Sequence, residues 1–311
     1  MSNDHILKMV APSSRRANAW MGGIVQIWVT RNCDKSCFGC TQGSNLRGRK
    51  DYITVEQFRT AVESLKDYFG VVGVFGGNPA LHPQFEELCE ILKELIPFKR
   101  RGLWCNNPLG KGKVMQATFN PMHSNLNVHL DQQAFDEFKR DWPESRPFGL
   151  HEDSRHSPPW VHMDDVGINE ETRWNLISNC DINKYWSAMI GVFRGGLRAW
   201  FCEIAGSQSI NCQDLPDYPD TGLEVEKGWW KKGILEYQDQ IKTHCQACGI
   251  PLRGYGELAQ SQDGTERTSK FYLPIYQPKD SKRNVMVVES LKELQSQSLS
   301  AVTDYLGNSH K

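Results

Sequence analysis

Three cysteines near the start of the chain carry the strongest chemical signal in the sequence. Cys33, Cys37 and Cys40 lie in the run CDKSCFGC, which brings three thiol side chains onto one short loop. Three thiolates can hold three irons of a cubane iron–sulfur cluster and leave the fourth iron open to a small molecule, whereas a cluster with four cysteine ligands normally carries electrons only. The spacing therefore predicts an iron–sulfur cluster with one open coordination position.

Disulfide bonds and a zinc site are the other uses of three close cysteines. Disulfides suit oxidising compartments, but the N-terminal run MSNDHILKMV has neither the apolar core nor the cleavage site of a secretory signal. Zinc sites more often use paired CxxC knuckles or histidine partners, which one loop of three thiolates does not supply. We therefore expect a metal centre in a reducing, cytoplasmic environment.

Strands and helices alternate around this loop. Residues 23–30 (GIVQIWVT) predict a buried first strand that ends at the cysteines, and Thr54 and Gln57 form a capping box that begins a helix ending at Gly70. This alternation predicts an α/β fold with a parallel sheet, and α/β barrels carry their active sites at the C-terminal ends of the strands. Further strands or helices are predicted at 71–75, 85–95, 102–105 and 126–130.

Two motifs of the sequence resemble those of the radical S-adenosylmethionine (SAM) superfamily. One is the CxxxCxxC loop after an apolar strand, and the other is Gly76-Gly77-Asn78-Pro79, which is similar to the GGEP motif of that family. The resemblance implies a partial (β/α)6 TIM-like barrel and a SAM-binding [4Fe–4S] cluster held by the three cysteines of the loop. It also implies reductive cleavage of SAM to a 5′-deoxyadenosyl radical that abstracts hydrogen from a substrate.

The resemblance extends to candidate SAM contacts, with two departures from the family pattern. Gly39 stands where the family usually has an aromatic residue near the adenine, and Asn78 replaces the usual glutamate, keeping a carbonyl acceptor without the charge. The turn at 76–79 is implied to contact the SAM amino group. Asn106 and His129 lie where the family contacts ribose and carboxylate, although an ordinary core or surface histidine explains His129 equally well.

A second set of cysteines follows in the C-terminal half. Cys180, Cys202, Cys245 and Cys248, with a hairpin predicted over 187–201, resemble the auxiliary-cluster "twitch" domain of some radical SAM enzymes, including one that oxidises a cyclitol alcohol. Four thiolates can close a second [4Fe–4S] cluster with no open iron. The larger SPASM version needs about seven cysteines and this region has five, counting Cys212, so one auxiliary cluster is expected. A structural zinc on the same four cysteines is the alternative.

The predicted organisation has four parts. An N-terminal extension at 1–20 precedes the partial barrel at 21–179, a small auxiliary-cluster domain (β-hairpin plus helix) at 180–250, and a C-terminal extension with a helix at 251–311. Cys89 and Cys105 fall on predicted apolar positions and are expected in the core. Cys212 is either free or a replacement ligand.

Composition narrows the classes of function. The formal net charge is −1, so no global field attracts nucleic acid or anionic lipid. The mean hydropathy of −0.55 and the lack of a long apolar stretch exclude a membrane span.

The expected function is therefore radical SAM chemistry on a polar substrate. A polar small molecule or a peptide is the expected substrate, and the second cluster is expected to accept an electron in a dehydrogenation-type oxidation. The resemblance implies an electron donor such as flavodoxin or ferredoxin. The alternatives are radical SAM modification of a peptide or of a nucleotide or nucleic acid base, and a non-catalytic iron–sulfur or zinc protein.

Overall fold

The computed structural model describes residues 23–37, 39–44, 51–152, 155–156, 158–180, 187–252, 258–259, 265–275 and 284–294. The strands are β1 Ile24–Thr30, β2 Val71–Gly76, β3 Arg101–Leu103, β4 Leu126–Asn127, β5 Pro147–Phe148, β6 Arg155–His156, β7 Ser187–Phe193, β8 Gly196–Trp200, β9 Leu223–Glu224, β10 Leu258–Ala259, β11 Thr265–Thr268 and β12 Asn284–Val287. The helices are α1 Val55–Ser64, α2 Phe85–Leu95, α3 Gly112–Thr118, α4 Gln132–Asp141, α5 Glu170–Ser178, α6 Glu203–Cys212 and α7 Gln238–Gln240. Helix α7 continues into a π-helix at Ile241–Cys245, and 3₁₀ turns lie at Pro79–Leu81, Phe98–Arg100, Pro121–His123, Trp229–Lys231, Ile234–Tyr237 and Lys270–Ile275.

Six strands form one sheet in the order β3-β2-β1-β7-β8-β9. Strand β1 lies at its centre and pairs in parallel with β2 on one side and β7 on the other, and β3 extends the parallel part beyond β2. A parallel bridge between Trp104 and Asn125 leads on to the separate parallel pair β4–β5. The predicted α/β fold with a mainly parallel sheet is therefore confirmed.

Helix α1 begins at the predicted capping box. The Thr54 hydroxyl accepts from the Gln57 backbone N–H, and the Gln57 side chain accepts from the Thr54 N–H. The helix ends at Ser64 and not at Gly70, so the predicted C-terminal boundary was wrong. Phe69, which the helical spacing placed on the apolar face, lies beyond the helix and is 58% exposed.

Two other predicted elements end differently from the sequence pattern. The fourth strand stops at Asn127 because His129 and Leu130 adopt left-handed backbone angles, with φ of 48° and 64°. In the C-terminal extension, the spacing of apolar residues from Met286 onwards predicts a helix, but Met286 lies in β12. Helical geometry begins at Leu291, and the remainder of the predicted helix from residue 295 lies outside the described residues.

The predicted hairpin is present as β7 and β8. Arg194 and Gly195 form its turn with φ of 46° and 85°, the pair of positive angles that a type I′ turn requires. Because β7 also pairs with β1, the main sheet runs continuously across the predicted domain boundary near residue 180.

The C-terminal part supplies two small pairings, β11 with β12 in parallel and β10 with β6 antiparallel. No helix within the described ranges has the length and apolar character needed to cross a membrane.

His82 forms a buried link between the turn after β2 and residue Ile53. Its Nε2 lies 2.9 Å from the Ile53 carbonyl oxygen and donates to it, while Nδ1 accepts from the Gln84 N–H at 3.1 Å. Burial lowers the pKa of His82 below its usual 6.5, outweighing the Ile53 carbonyl, which raises it. The neutral ring therefore stabilises the fold.

We expect this contribution to depend on pH with a defined sign. Because the pKa of His82 in the folded chain lies below that of the unfolded chain, its stabilisation is complete above about pH 6.5 and is lost as the pH falls towards the lowered value. Urea unfolding at about pH 7.5 and 5.5 should show a larger loss for the wild type than for His82→Gln, which can still donate to Ile53. Equal losses in the two proteins would contradict this assignment.

Candidate functional site

The cysteine loop leaves the C-terminal end of β1 and is fastened to the turn after β2. The Gly77 N–H donates to the Thr30 carbonyl at 2.8 Å, and the Asn78 N–H donates to the Asn32 carbonyl at 2.6 Å. A Cβ atom on Gly77 would lie 2.2 Å from the Asn32 oxygen. The glycines of the GGNP turn are therefore required for close packing of two backbone segments, and the same packing brings the turn beside the cysteines.

Most of the residues predicted for the first site line one cavity of about 190 Å³. Asn78 and Pro79 do not line it, since Asn78 is fully buried and Pro79 begins a 3₁₀ turn. The cavity thus collects residues from the ends of five chain segments. Its lining includes Cys33, Cys37, Cys40, Gly76, Gly77, Asn106 and His129 from the predicted set, together with Lys35, Thr41, Gln42, Ser44, Phe75, Trp104, Cys105, Asn125, Asn127 and Glu203.

The thiols of this cavity are held in conditions that disfavour bare thiolates. Burial and, to a smaller extent, a thiolate at Cys40 raise the pKa of Cys33 to about 12. Burial also raises the pKa of Cys40. Buried thiolates become favourable only when positive charge compensates them, as the irons of a cluster would.

Asp34, inside the cysteine loop, joins the loop to the ends of β2 and β3. Its Oδ1 accepts from the side-chain amides of Asn78 at 2.8 Å and Asn106 at 2.9 Å, and its Oδ2 accepts from the Asn107 amide at 3.1 Å. The Asn78 Oδ1 accepts from the Ala80 N–H at 3.0 Å. The departure from the family's glutamate therefore has a physical reason, because a carboxylate at position 78 would face that of Asp34.

We expect Asn78→Asp to destabilise the protein by about 3 kcal/mol, because it places a buried carboxylate against that of Asp34 and removes the hydrogen bonds that the Asn78 amide donates to Asp34 and to the Asn107 carbonyl. Urea unfolding measures the loss, and Asn78→Ala is the control that removes the hydrogen bonds without adding charge. The deficit of the aspartate variant should shrink as the pH falls and its carboxyl group takes up a proton. A deficit independent of pH would rule out charge repulsion as its cause.

The backbone angle at position 39 explains why glycine replaces the aromatic residue that the family usually has there. Its φ is 47°, a left-handed angle that residues with a side chain rarely adopt. The family's aromatic residue would be strained at this position. The neighbouring Cys40 carbonyl accepts from the Trp160 indole N–H at 3.0 Å, so a buried aromatic residue contacts the loop from another segment.

The loop is also tied to the helix after β4. The Lys35 ammonium contacts the Asp131 carboxylate, which caps α4 by accepting from the Ala134 N–H at 3.0 Å. Burial raises the pKa of Asp131, but these two contacts outweigh it and lower the pKa overall. His129 lies next to this link and lines the cavity, held by a bond of 3.1 Å from its N–H to the Asn127 side chain.

Sequence reasoning missed Glu203, which lines the cavity from the first turn of α6. Its Oε2 accepts from the Gln26 amide at 2.5 Å and from the Ser187 hydroxyl at 3.0 Å. Burial raises the pKa of Glu203, against the effect of these two donors. No local motif marks it. The only signal in the sequence is its position immediately after a predicted cluster ligand, Cys202.

Cys105 was also missed, since it was predicted only as a core residue. It is buried as expected, but it also lines the cavity, and its Sγ lies 3.2 Å from the Asn78 Oδ1. Cys89 lies in the core on α2, as predicted.

The second set of cysteines gathers around a separate buried pocket. Burial raises the pKa of Cys245 well above its usual value, and thiolates at Cys202, Cys180 and Cys248 raise it further. The same mutual effect links Cys202 with Cys180 and Cys248, and Cys248 with Cys180. All four thiols are therefore close enough to influence one another, and all four line the pocket.

Two further candidate ligands, Cys212 and His244, differ from the four thiols in position or in hydrogen bonding. Cys212 ends α6, ten residues after Cys202, so the helix rise of about 1.5 Å per residue separates them by about 15 Å. His244 lines the pocket, but its Nε2 is engaged by the Thr221 hydroxyl at 2.8 Å and the Ser209 hydroxyl at 3.1 Å. Burial lowers the pKa of His244 to about 3, so the ring is neutral.

A larger cavity of about 510 Å³ lies along the other side of the β1 end, bordered by Arg31, Tyr52 and Arg194. None of its described lining residues is a cysteine or a histidine. The chemistry of the donor groups therefore places the site in the smaller cavity.

The polar groups that line the first cavity are suited to a bound cluster and a polar ligand. The Gln42 amide oxygen is buried and has no hydrogen-bond partner among the described residues, and Gln42 lines the cavity. Such an orphaned acceptor calls for a donor from a ligand or water. Three thiols, glycine backbone and polar side chains form a donor set that suits a [4Fe–4S] cluster with SAM.

Comparison with known proteins agrees with this site. Residues 27–143 match the model of the Radical SAM superfamily, so this segment is a radical SAM domain, as the two motifs predicted. The domain contains the cysteine loop, the GGNP turn, Asn106 and His129, and it implies a [4Fe–4S] cluster and SAM as cofactors.

One solved structure similar to this chain is the crystal structure of BtrN in complex with AdoMet and 2-DOIA. The two chains are 14% identical, with a TM-score of 0.44, and the similarity covers 73% of this chain and 88% of that chain. No curated protein matches the chain in sequence.

Proposed function

We propose that this protein is a radical SAM enzyme with two [4Fe–4S] clusters that oxidises a polar substrate by a dehydrogenation-type reaction. Cys33, Cys37 and Cys40 would hold the SAM-binding cluster in a partial (β/α)6 barrel, and a twitch-like C-terminal unit would hold the second cluster. When bound, the first cluster supplies the electron that cleaves SAM to the 5′-deoxyadenosyl radical, which abstracts hydrogen from the substrate.

The observation that carries the proposal is the direct chain connection between the two groups of thiols. Cys202 lines the pocket of the second set, and the next residue, Glu203, lines the cavity of the first set. Consecutive Cα atoms lie about 3.8 Å apart, so one peptide separates the walls of the two sites. A substrate in the first cavity would therefore lie close to a cluster that can accept its second electron.

The residues of the first cavity support a polar substrate. Glu203 offers a carboxylate acceptor, and the amides of Gln42, Asn125 and Asn127 surround the same space. A hydroxyl or ammonium group would find acceptors there, including the Gln42 amide oxygen, whereas an apolar group would offer that buried acceptor no donor. The Trp160 indole contacts the loop by donating a hydrogen bond to the Cys40 carbonyl.

A structural zinc ion on the same four cysteines is the alternative to the second cluster. Counting iron and zinc in the reconstituted protein distinguishes the two.

The test is anaerobic reconstitution followed by counting of iron and sulfide and measurement of 5′-deoxyadenosine after reduction with SAM. The proposal expects about eight irons and eight sulfides per chain and formation of 5′-deoxyadenosine. About four irons would contradict the second cluster, and zinc bound in addition to them would favour the structural zinc alternative. No 5′-deoxyadenosine with any reductant would contradict the enzymatic assignment.

The class of substrate can be narrowed with the same preparation. Deuterated candidates, first polar alcohols and then peptides and nucleotides, should transfer deuterium into 5′-deoxyadenosine if they are substrates. If only a peptide or a nucleotide transfers deuterium, the proposed oxidation of a small molecule is contradicted. The result would then favour modification of a peptide or a nucleotide.

A further inference from the structure

We propose that Glu266, in the C-terminal extension, lowers the reduction potential of the cluster held by Cys33, Cys37 and Cys40. The inference rests on the proposed function only in requiring that this cluster is present. Strand β11, which carries Glu266, would then influence the redox chemistry of the first cluster as well as packing against the cysteine loop.

Glu266 is directed at the cysteine loop from 227 residues further along the chain. Its side chain lies on β11 and is 1% exposed. Both carboxylate oxygens accept from the Gly39 N–H, at 3.0 Å and 3.2 Å. Gly39 immediately precedes Cys40, and the negative charge of Glu266 raises the pKa of that thiol.

The position of Glu266 is fixed by contacts on either side of it. The Thr268 hydroxyl and the Ser269 N–H both donate to the Trp160 carbonyl, at 3.0 Å and 3.1 Å, and the Trp160 indole in turn donates to the Cys40 carbonyl. Strand β12 pairs with the whole of β11. The segment is therefore held against the loop by three hydrogen-bonded links.

Two physical effects of Glu266 act in the same direction. A buried carboxylate near a cluster disfavours addition of an electron, because the screening of charge by water is weak there. Hydrogen bonds from backbone N–H groups to cluster sulfurs, together with net charge, set the potential of iron–sulfur clusters. Because Glu266 accepts from the Gly39 N–H, that donor is not available to a cluster sulfur.

Among the described residues, Arg267 is a neighbouring charge that opposes these effects. Its side chain is 5% exposed, and burial lowers its pKa while Glu266 raises it. Both carboxylate oxygens of Glu266 accept from the Gly39 N–H of the loop, so we expect the effect of Glu266 on the cluster to prevail.

The test is a redox titration of the reconstituted full-length protein, followed by electron paramagnetic resonance. The signal that changes on addition of SAM identifies the first cluster. At the potential that reduces half of this cluster in the wild type, the reduced fraction should rise above one half in Glu266→Gln and rise further in Glu266→Ala, which also frees the Gly39 N–H. Glu266→Asp should stay near the wild type.

Glu289→Gln is the matched control, because it removes the same charge from an exposed position in the same segment. It should leave the midpoint unchanged. An unchanged or lower midpoint in Glu266→Gln would overturn the proposal, and so would loss of the first cluster's iron from that variant, which would assign Glu266 to cluster assembly. Absence of the SAM-sensitive signal from the wild type would instead refute the proposed function.

Discussion

Replacement of Cys37 by alanine will reduce 5′-deoxyadenosine formation to the level of a reaction without protein. Cys33, Cys37 and Cys40 line one cavity and are the three candidate ligands of the first cluster. With two thiolates the cluster loses one of its three protein bonds, and the site that would bind SAM is lost with it. Iron should fall by about four atoms per chain.

Cys89→Ala is the control for this variant. Cys89 is buried on α2, at 2% exposure, and does not line the cavity. Its replacement should lower stability by the cost of a small cavity and leave iron content and SAM cleavage intact. Full SAM cleavage by the Cys37 variant would show that the loop is not the cluster site.

Replacement of both Cys245 and Cys248 by alanine will separate SAM cleavage from substrate oxidation. These thiols belong to the second buried pocket, which shares no described lining residue with the first cavity. The variant should lose about four irons and still form 5′-deoxyadenosine, whereas oxidised product should be absent because the second electron has no acceptor.

Cys212→Ala is the matched control, since Cys212 is fully buried at the far end of α6 but lies outside the pocket. It should retain about eight irons and product formation. If the double variant forms product at the wild-type rate, the second group of cysteines has no role in electron transfer. If it keeps all its iron, Cys245 and Cys248 are not ligands.

The local parts of the site could be predicted because their information is contiguous in the chain. Three cysteines spaced over one loop, the strand that ends at Thr30 just before them and the glycines at the end of β2 each depend on a few neighbouring residues. The same holds for the hairpin, because Gly195 in its turn readily adopts one of the two required positive φ angles. The sequence by itself therefore determined the candidate cluster loop and the parallel α/β arrangement that positions it.

The tertiary structure decided which distant residues face that loop. Glu203 meets Gln26 across 177 residues, and Glu266 meets Gly39 across 227, so no periodicity or spacing could reveal either contact. It also placed the Asn78 side chain on Asp34 and not in the cavity. These outcomes depend on how buried polar groups find partners after the chain has packed, which is a property of the whole fold and not of any local segment.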